Sequence, residues 1–274
     1  MKIKRRHRKE KIIIRRRIKK QLRKIHTYCQ TTNTETQHLK SIRKYLTLIC
    51  SYGHRQSQVF TDWIELMFWS FQRRDPEYLK VMNRYNNDQK ENTRPADYFS
   101  FALGELLSHM KLTNEETLGY LYMEFSAFKG TGQFFTPPVL TDLMAKLTIS
   151  DTELNGNILD PACGAGGSLI ACCKNMSCKN VDKSCFYGQD IDFTCIQMTA
   201  LNLMFFNLNG VVILGNTLKL EAQKVFLTKR SYLYGGSLCE DPNPERIQLK
   251  MRNMFMQNTT SKKKTIKNFI RRRK

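Results

Sequence analysis

Apolar side chains in the first half of the chain recur three and four positions apart, which is the spacing of one face of a helix. The stretch from Val59 to Phe71 has the clearest pattern. A further helix is predicted from Asp97 to Met110, and another after it, where Thr113 and Glu116 have the spacing of a capping box. These elements predict a helical N-terminal region over residues 38–128.

Short apolar runs replace this pattern in the second half of the chain. They cover Ile158 and Leu159, Cys185 to Gln189, and Val211 to Leu214, and helical segments separate them. Strands that alternate with helices form parallel sheets, so the predicted fold class is α/β. The corresponding domain is predicted over residues 129–239.

Another helix is predicted to begin at Thr136, because a hydroxyl can cap a helix and the two prolines that follow it are tolerated in the first turn. A plain cap is one interpretation of this residue. In the other, the hydroxyl and the helix N-terminus bind a carboxylate ligand. The residues predicted to form the packed face of this helix are Leu140, Leu143, Met144 and Leu147.

The stretch from Asn157 to Ile170, NILDPACGAGGSLI, combines a strand, a glycine-rich turn and a helix. Asp160 closes the strand at its carboxyl end, where open α/β sheets bind ligands. Gly164 and Gly166 let the backbone turn sharply and approach a ligand closely. A glycine-rich loop after a strand is by itself also compatible with an ordinary tight turn.

The segment Asp-Pro-Ala-Cys-Gly-Ala-Gly-Gly, however, resembles the cofactor loop of S-adenosylmethionine-dependent DNA adenine-N6 methyltransferases, with modification subunits of type I restriction systems as the nearest relatives. Two flanking stretches resemble the same family, Gly132 to Pro138 and Tyr187 to Asp192. The resemblance implies a Rossmann-like class I methyltransferase domain with S-adenosyl-L-methionine as its cofactor.

The resemblance also implies roles for individual residues. Thr136 and its neighbours would pack on the cofactor and meet its methionine carboxylate. Asp190 would accept both ribose hydroxyls. Asn216 stands where the family usually has an aspartate that accepts from the adenine amino group, a bond that an asparagine carbonyl can also accept. The implied cofactor-binding residues are Phe134, Phe135, Thr136, Pro137, Asp160, Pro161, Cys163, Gly164, Gly166, Asp190 and Asn216.

The chain departs from the family beyond Leu220. The family's catalytic signature, Asn/Asp-Pro-Pro followed by an aromatic residue, is absent, and Asp241 to Pro244 lacks both its adjacent prolines and its aromatic residue. The apolar fourth strand expected before it is interrupted in Val225 to Tyr234 by Lys229 and Arg230. The resemblance therefore implies only the cofactor-binding half of the domain, with the catalytic residues unknown.

Three hypotheses for function follow. The first is a DNA adenine-N6 methyltransferase-family protein that binds S-adenosylmethionine and DNA, either as a truncated or split enzyme or as a subunit that a partner completes. The second is a catalytically inactive, methyltransferase-like DNA-binding module. The third is an RNA or protein methyltransferase with an unusual acceptor site.

The whole formal net charge of +21 lies at the two ends of the chain, and the middle is neutral. Residues 1–24 hold 14 Lys and Arg against one Glu, and residues 262–274 hold 8 with no acidic residue. Such blocks are either solvated tails or arms that neutralise nucleic-acid phosphates. Residues 1–26 are therefore predicted to be a disordered basic arm and residues 240–274 a basic tail, with DNA as the partner.

The rest of the composition argues against several classes of protein. Nine cysteines without regular spacing predict buried, reduced thiols, and no motif predicts a metal site. No apolar run is long enough to span a membrane, and no secretory signal is predicted. We therefore expect a cytoplasmic protein without a membrane partner.

Overall fold

The computed structural model describes residues 36–126, 135–149, 156–233 and 235–249. The first of these ranges is helical, as predicted. Its helices are α1 (Gln37–Cys50), α2 (Gln56–Phe71), α3 (Asp75–Met82), α4 (Pro95–Thr113) and α5 (Leu118–Ser126). The predicted basic arm over residues 1–26, Phe134 and the end of the predicted basic tail lie outside the described residues.

The described residues that follow form an α/β unit, which confirms the predicted fold class. Its helices are α6 (Pro138–Thr148), α7 (Gly167–Lys174), α8 (Cys178–Lys183) and α9 (Phe193–Phe205). Its strands are β1 (Ile158–Asp160), β2 (Phe186–Asp190), β3 (Gly210–Leu214), β4 (Lys224–Lys229) and β5 (Ser237–Asp241). The strands lie in the order β1-β2-β3-β4-β5 in one sheet.

The first three strands are parallel, and their carboxyl ends meet at one edge of the sheet. Asp160 pairs with Gly188, and Asp190 pairs with Leu214. α7 follows β1 and packs on β1 and β2, while α9 follows β2 and packs on the strands from β2 to β5. This repeated strand-helix-strand arrangement is the Rossmann-like part of the fold.

The last two strands correct the expectation for Val225 to Tyr234. β4 runs antiparallel to β3, and β5 runs antiparallel to β4. An antiparallel strand alternates between two environments and tolerates a charge at its end, so Lys229 closes β4 and does not interrupt it. β5 continues to Asp241, so the domain boundary predicted after residue 239 would cut through a strand.

Two predicted caps are also wrong. Thr113 is the last residue of α4 and its hydroxyl donates to the carbonyl of His109, so it does not cap α5. At the start of α6 the N-cap residue is Pro137, with no capping bond from a side chain, and Thr136 precedes it. Of the two prolines predicted for the first turn, Pro138 is the first helical residue and Pro137 is the N-cap.

Three of the four apolar residues predicted to pack α6 are exposed, whereas Leu143 is partly buried and lines a cavity. Leu140, Met144 and Leu147 are 47%, 51% and 67% exposed. The buried residues of α6 are Thr141 and Ala145, through which the helix packs against α7. Small side chains let two helices approach closely, and this approach fixes the orientation of α6.

The helical region and the sheet share one hydrophobic core. Phe68 of α2 contacts the ring of Phe226 on β4 edge to face, with ring centroids 4.9 Å apart, and the ring of Phe193 at the start of α9 at 5.9 Å. The opposite face of the sheet has a smaller cluster, which includes Tyr187 and Ile213. α1 to α5 are therefore part of the same packed unit as the strands.

Among the described residues, no helix has both the length and the apolar character needed to cross a membrane. The described cysteines are all reduced. Cys163 and Cys195 are buried as predicted, whereas Cys178 and Cys239 are exposed, so the prediction of buried thiols is wrong for these two.

Because Phe68 joins the two regions, Phe68→Ala should destabilise the whole protein by about 3–5 kcal/mol, the usual cost of removing a buried aromatic ring. Urea denaturation followed by both circular dichroism and tryptophan fluorescence should show one shifted transition. The control is Phe71→Ala, in which a half-exposed ring is removed and a clearly smaller shift is expected. Two separate transitions would show that the regions fold independently.

Candidate cofactor site

The structure brings three of the predicted site residues to the same edge of the sheet. Asp160 is the last residue of β1, Asp190 is the last residue of β2, and Asn216 lies two residues beyond β3. The paired register of these parallel strands aligns their carboxyl ends. This edge is where open α/β sheets place their ligands.

The loop from Asp160 to Gly166 turns tightly over this edge. A carboxylate oxygen of Asp160 accepts from the amide of Ala162 at 3.1 Å, and the amide of Gly166 donates to the carbonyl of Cys163 at 2.7 Å. Gly164 and Gly166 have φ angles of +53° and +85°, a region that favours glycine. The predicted need for glycine at these two positions is therefore confirmed.

The loop is bonded to the neighbouring strand. The amide of Gly164 donates to Oδ2 of Asp190 at 3.0 Å, and the amide of Cys163 donates to the carbonyl of Gln189, also at 3.0 Å. On the other side, the hydroxyl of Thr217 donates to the carbonyl of Pro161 at 2.6 Å. The loop thus has a fixed conformation before any ligand binds.

Asp190 retains capacity for a ligand. Its Oδ1 accepts from the amide of Asp192 at 3.0 Å, so each carboxylate oxygen receives one backbone amide. A carboxylate offers about four lone-pair positions, so it can accept two further bonds. Its side chain is also half-buried at the sheet edge, as a bidentate acceptor for two neighbouring hydroxyls would be. Asp192 itself caps α9.

Asn216 is arranged differently from the prediction. Its side-chain oxygen accepts from the amides of Leu218 at 3.0 Å and Lys219 at 3.2 Å. An amide oxygen has two lone pairs, so both are engaged in holding this turn. The predicted bond from an adenine amino group would require the turn to open.

Phe135 connects the glycine loop to the helical region. Its ring stacks on that of Tyr122 in α5, with centroids 5.2 Å apart and an interplanar angle of 29°. The ring also lies against Gly164, where an added Cβ would come within 3.0 Å of it. Thr136 and Pro137 follow it and are exposed.

A cavity of about 510 Å³ lies on the other side of Phe135, between α5, α6 and α7. Phe135, Thr136 and Pro137 line it, whereas Asp160, Asp190 and Asn216 do not. The predicted site residues therefore fall into two groups, one at the sheet edge and one at the cavity mouth. Phe135 is the wall that the two groups share.

The contacts of Glu116 were not predicted from the sequence. Its Oε1 accepts from the amide of Gly119 at 2.6 Å and from Nδ2 of Asn202 at 2.9 Å. Nδ2 of Asn202 also donates to the carbonyl of Ala165 at 2.8 Å, so this amide group links Glu116 to the glycine loop. Burial raises the pKa of the Glu116 carboxyl. The capping-box spacing drew attention to Glu116 but paired it with the wrong residue.

Neither thiol nor metal chemistry fits this region. Cys163 lies under the loop with its Sγ 3.4 Å from the hydroxyl of Thr199, and burial raises the pKa of its thiol. A thiol that stays protonated is a weak nucleophile and a weak metal ligand. In the described part of the chain, no group of three His, Cys, Asp or Glu residues is placed to hold a metal ion.

The raised pKa of Glu116 predicts a pH-dependent stability. The folded protein holds this proton to higher pH than the unfolded chain, so the stabilisation is complete below the ordinary glutamate pKa and is lost as pH rises through the raised pKa. Glu116→Gln keeps an acceptor for Gly119 and Asn202 but carries no charge. Thermal unfolding measured across pH should show that the stability of the wild type falls as pH rises through the raised pKa. The Glu116→Gln variant should show no such fall.

The exposed Glu245→Gln should leave the pH profile unchanged and is the matched control. If Glu116→Gln followed the wild-type profile throughout, the Glu116 carboxyl would titrate alike in the folded and unfolded chains.

The sequence profile of the N-6 DNA Methylase family matches residues 116–232. The chain is 29% identical over 84 residues to the type I restriction enzyme MpnII methylase subunit of Mycoplasma pneumoniae, and 32% identical over 95 residues to the MjaIX methylase subunit of Methanocaldococcus jannaschii. These alignments cover 31% and 33% of this chain, and 16% of each relative.

Among solved structures, a type I restriction-modification methyltransferase subunit from Streptococcus thermophilus is 17% identical, with a TM-score of 0.35 over 61% of this chain and 40% of that one. The family profile begins at Glu116, includes the whole glycine loop and ends just beyond β4. Residues 116–232 of this chain therefore match the N-6 DNA Methylase family.

Proposed function

We propose that this chain binds S-adenosyl-L-methionine at the carboxyl edge of β1, β2 and β3 and contributes to methylation of DNA at adenine N6. The observation that carries the proposal is the bond from the Gly164 amide to Asp190, since it places a fixed glycine loop beside a carboxylate with spare acceptor capacity. Bound there, the cofactor would supply an electrophilic methyl group.

The residues at this edge fit the cofactor. Glycines at positions 164 and 166 leave the backbone uncovered, so a ligand can approach it closely. α7 begins directly after the loop, and the partial positive charge of its N-terminus favours a carboxylate such as that of methionine. Asp190 suits a ribose diol, as acidic residues after the second strand do in related folds.

We assign the residues that would hold the target adenine to a partner polypeptide. The chain has no Asn/Asp-Pro-Pro-aromatic tetrapeptide to hold a flipped adenine. β4 and β5 add to the sheet beyond β3, so they lie on the side away from the glycine loop on β1. We therefore propose a subunit that binds cofactor and DNA and becomes active when another polypeptide supplies the acceptor residues.

Calorimetric titration of the full chain with S-adenosylmethionine should detect binding. Asp190→Ala removes charge-assisted hydrogen bonds worth roughly 1.5–3 kcal/mol, so it should weaken binding about ten- to a hundredfold. Glu91→Ala, at an exposed glutamate between α3 and α4, should bind as the wild type does. No heat and no thermal shift at millimolar cofactor, in a folded sample, would contradict the proposal.

DNA binding should depend steeply on salt and little on sequence, because the net charge is concentrated in two terminal segments. Deleting residues 1–24 should reduce the slope of log affinity against log salt by about 0.9 for each phosphate that this segment neutralises. Replacing the Lys and Arg of this segment by Gln keeps its length and should have the same effect. Unchanged affinity and slope would show that the segment is a solvated tail.

The isolated chain should transfer no methyl group to DNA. Positioning of reactants can account for roughly 7–11 kcal/mol of a barrier, and cofactor binding alone does not position an adenine. The measurement is incorporation of labelled methyl into mixed-sequence DNA by the purified chain. Incorporation at adenine that Gly164→Trp abolishes would reveal an acceptor site within the chain, to be sought first between Ser231 and Arg246.

A further inference from the structure

The outward face of α6 carries an apolar stripe. Leu140, Met144 and Leu147 follow one another at helical spacing and are all about half exposed or more. The buried face of the helix, with Thr141 and Ala145, is already packed against α7. Scattered apolar residues are ordinary on protein surfaces, but several on one helix face are typical of an interface.

The outer edge of β1 is a second surface that could bind another polypeptide. Among the described strands it pairs with β2 alone. Across that pairing the amide of Ile158 donates to the carbonyl of Cys185 at 3.0 Å. Because successive residues of a strand bond to alternate sides, the N–H and C=O of Leu159 point toward the outer edge. Parallel strands are normally paired and covered on both faces, so such an edge is a site for strand addition.

The stripe and the edge lie on the same flank of the molecule. α9 covers the strands from β2 to β5, α7 lies beside it over β1 and β2, and α6 packs against α7. Oδ1 of Asp142 on α6 accepts from Nδ2 of Asn175, just beyond α7, at 3.0 Å. α6 is therefore the outermost helix on the β1 side.

We propose that the α6 stripe and the outer edge of β1 form one docking surface for a second polypeptide, which adds a strand parallel to β1 and covers Leu140, Met144 and Leu147 with an apolar helix. This inference rests on the proposed function, in which a partner supplies the acceptor residues. The surface defines the partner's chemistry: a strand rich in apolar residues on both faces, joined to a helix with an apolar stripe.

Two observations favour this occupant over a second copy of the chain. In doubly wound sheets the ligand crevice lies where strands leave the first strand in opposite directions, and β1 at an edge provides one side of that crevice. The matched segment is also only 16% of the length of each curated relative, so those proteins contain much further polypeptide. A second copy would cover the stripe without bringing an Asn/Asp-Pro-Pro-aromatic segment.

Hydrogen–deuterium exchange tests the surface directly. The probe is the part of the M. jannaschii methylase subunit that follows its matched segment, joined to the full chain by a flexible Gly/Ser linker that gives a local concentration in the millimolar range. Relative to the chain alone, exchange should slow roughly tenfold or more at Leu159 and in α6, since about 1.4 kcal/mol of protection corresponds to a factor of ten.

The paired change Met144→Glu and Leu147→Glu should remove this protection, because each places a charge in an apolar contact. Leu79→Glu, at a 52% exposed leucine of α3, is the matched control and should preserve it. Exchange in β2 and β3 reports whether each protein is folded. A second fusion, made in the same way with the M. pneumoniae subunit, provides an independent probe in case the first does not fold.

Absence of slowing in both fusions would overturn the docking surface. Protection already present in the monomeric chain, or protection that rises with its concentration, would also overturn it and would assign the stripe to the chain itself or to a second copy. Cofactor titration of the same samples separates the two proposals. Cofactor binding without protection leaves the cofactor site standing, and protection without cofactor binding leaves the docking surface standing.

Discussion

The bond between the Gly164 amide and the Asp190 carboxylate is the constraint on which the proposed site depends. It joins two segments 26 residues apart and fixes the glycine loop of β1 to the end of β2. A hydrogen bond to a charged acceptor is worth more than one between neutral groups, about 1.5–3 kcal/mol. Removing the Asp190 carboxylate would delete both this bond to the loop and the acceptor for a ligand, so loop order and ligand recognition are coupled through one side chain.

The loop is also held from beneath by polar residues in an otherwise apolar helix. α9 is almost entirely buried, yet it contains Thr199 and Asn202, both fully buried. Buried polar groups need partners, and these two donate to the carbonyls of Gly164 at 2.7 Å and Ala165 at 2.8 Å. Because Asn202 also bonds Glu116, the helical region contributes to the position of the loop. The family match, which begins at Glu116, includes this bond.

Much of this architecture could be predicted because local chemistry determines it. Positive φ angles require glycine at positions 164 and 166, and an acidic residue closes β1 and β2 as the pattern indicates. Periodicity, by contrast, identifies which residues share a helix face but not where that face points. The pattern therefore places the stripe of α6 in the core, although packing through Thr141 and Ala145 turns it outward.

β4 and Glu116 were missed for a related reason. A strand of six residues with lysine at each end gives little signal unless its antiparallel partner is known, and β3 becomes its partner only in the folded sheet. The raised pKa of Glu116 likewise depends on its burial in the folded chain, where its carboxylate lies beside Asn202, 86 residues away. The spacing of residues along the chain does not show which distant residues will pair. Such long-range contacts therefore cannot be predicted from the local pattern of a single sequence.

The distribution of charge separates the two binding tasks that the proposal assigns to this chain. Lys and Arg in excess over acids are concentrated before residue 25 and after residue 261, while the sheet edge presents Asp160 and Asp190. A cationic sulfonium and ribose hydroxyls favour an edge with carboxylates, whereas phosphates favour the basic segments. A basic patch at the sheet edge would pair with Asp190 and use up its acceptor capacity. Keeping the phosphate-binding charge at the chain ends therefore leaves the cofactor edge free to act by hydrogen bonding at short range.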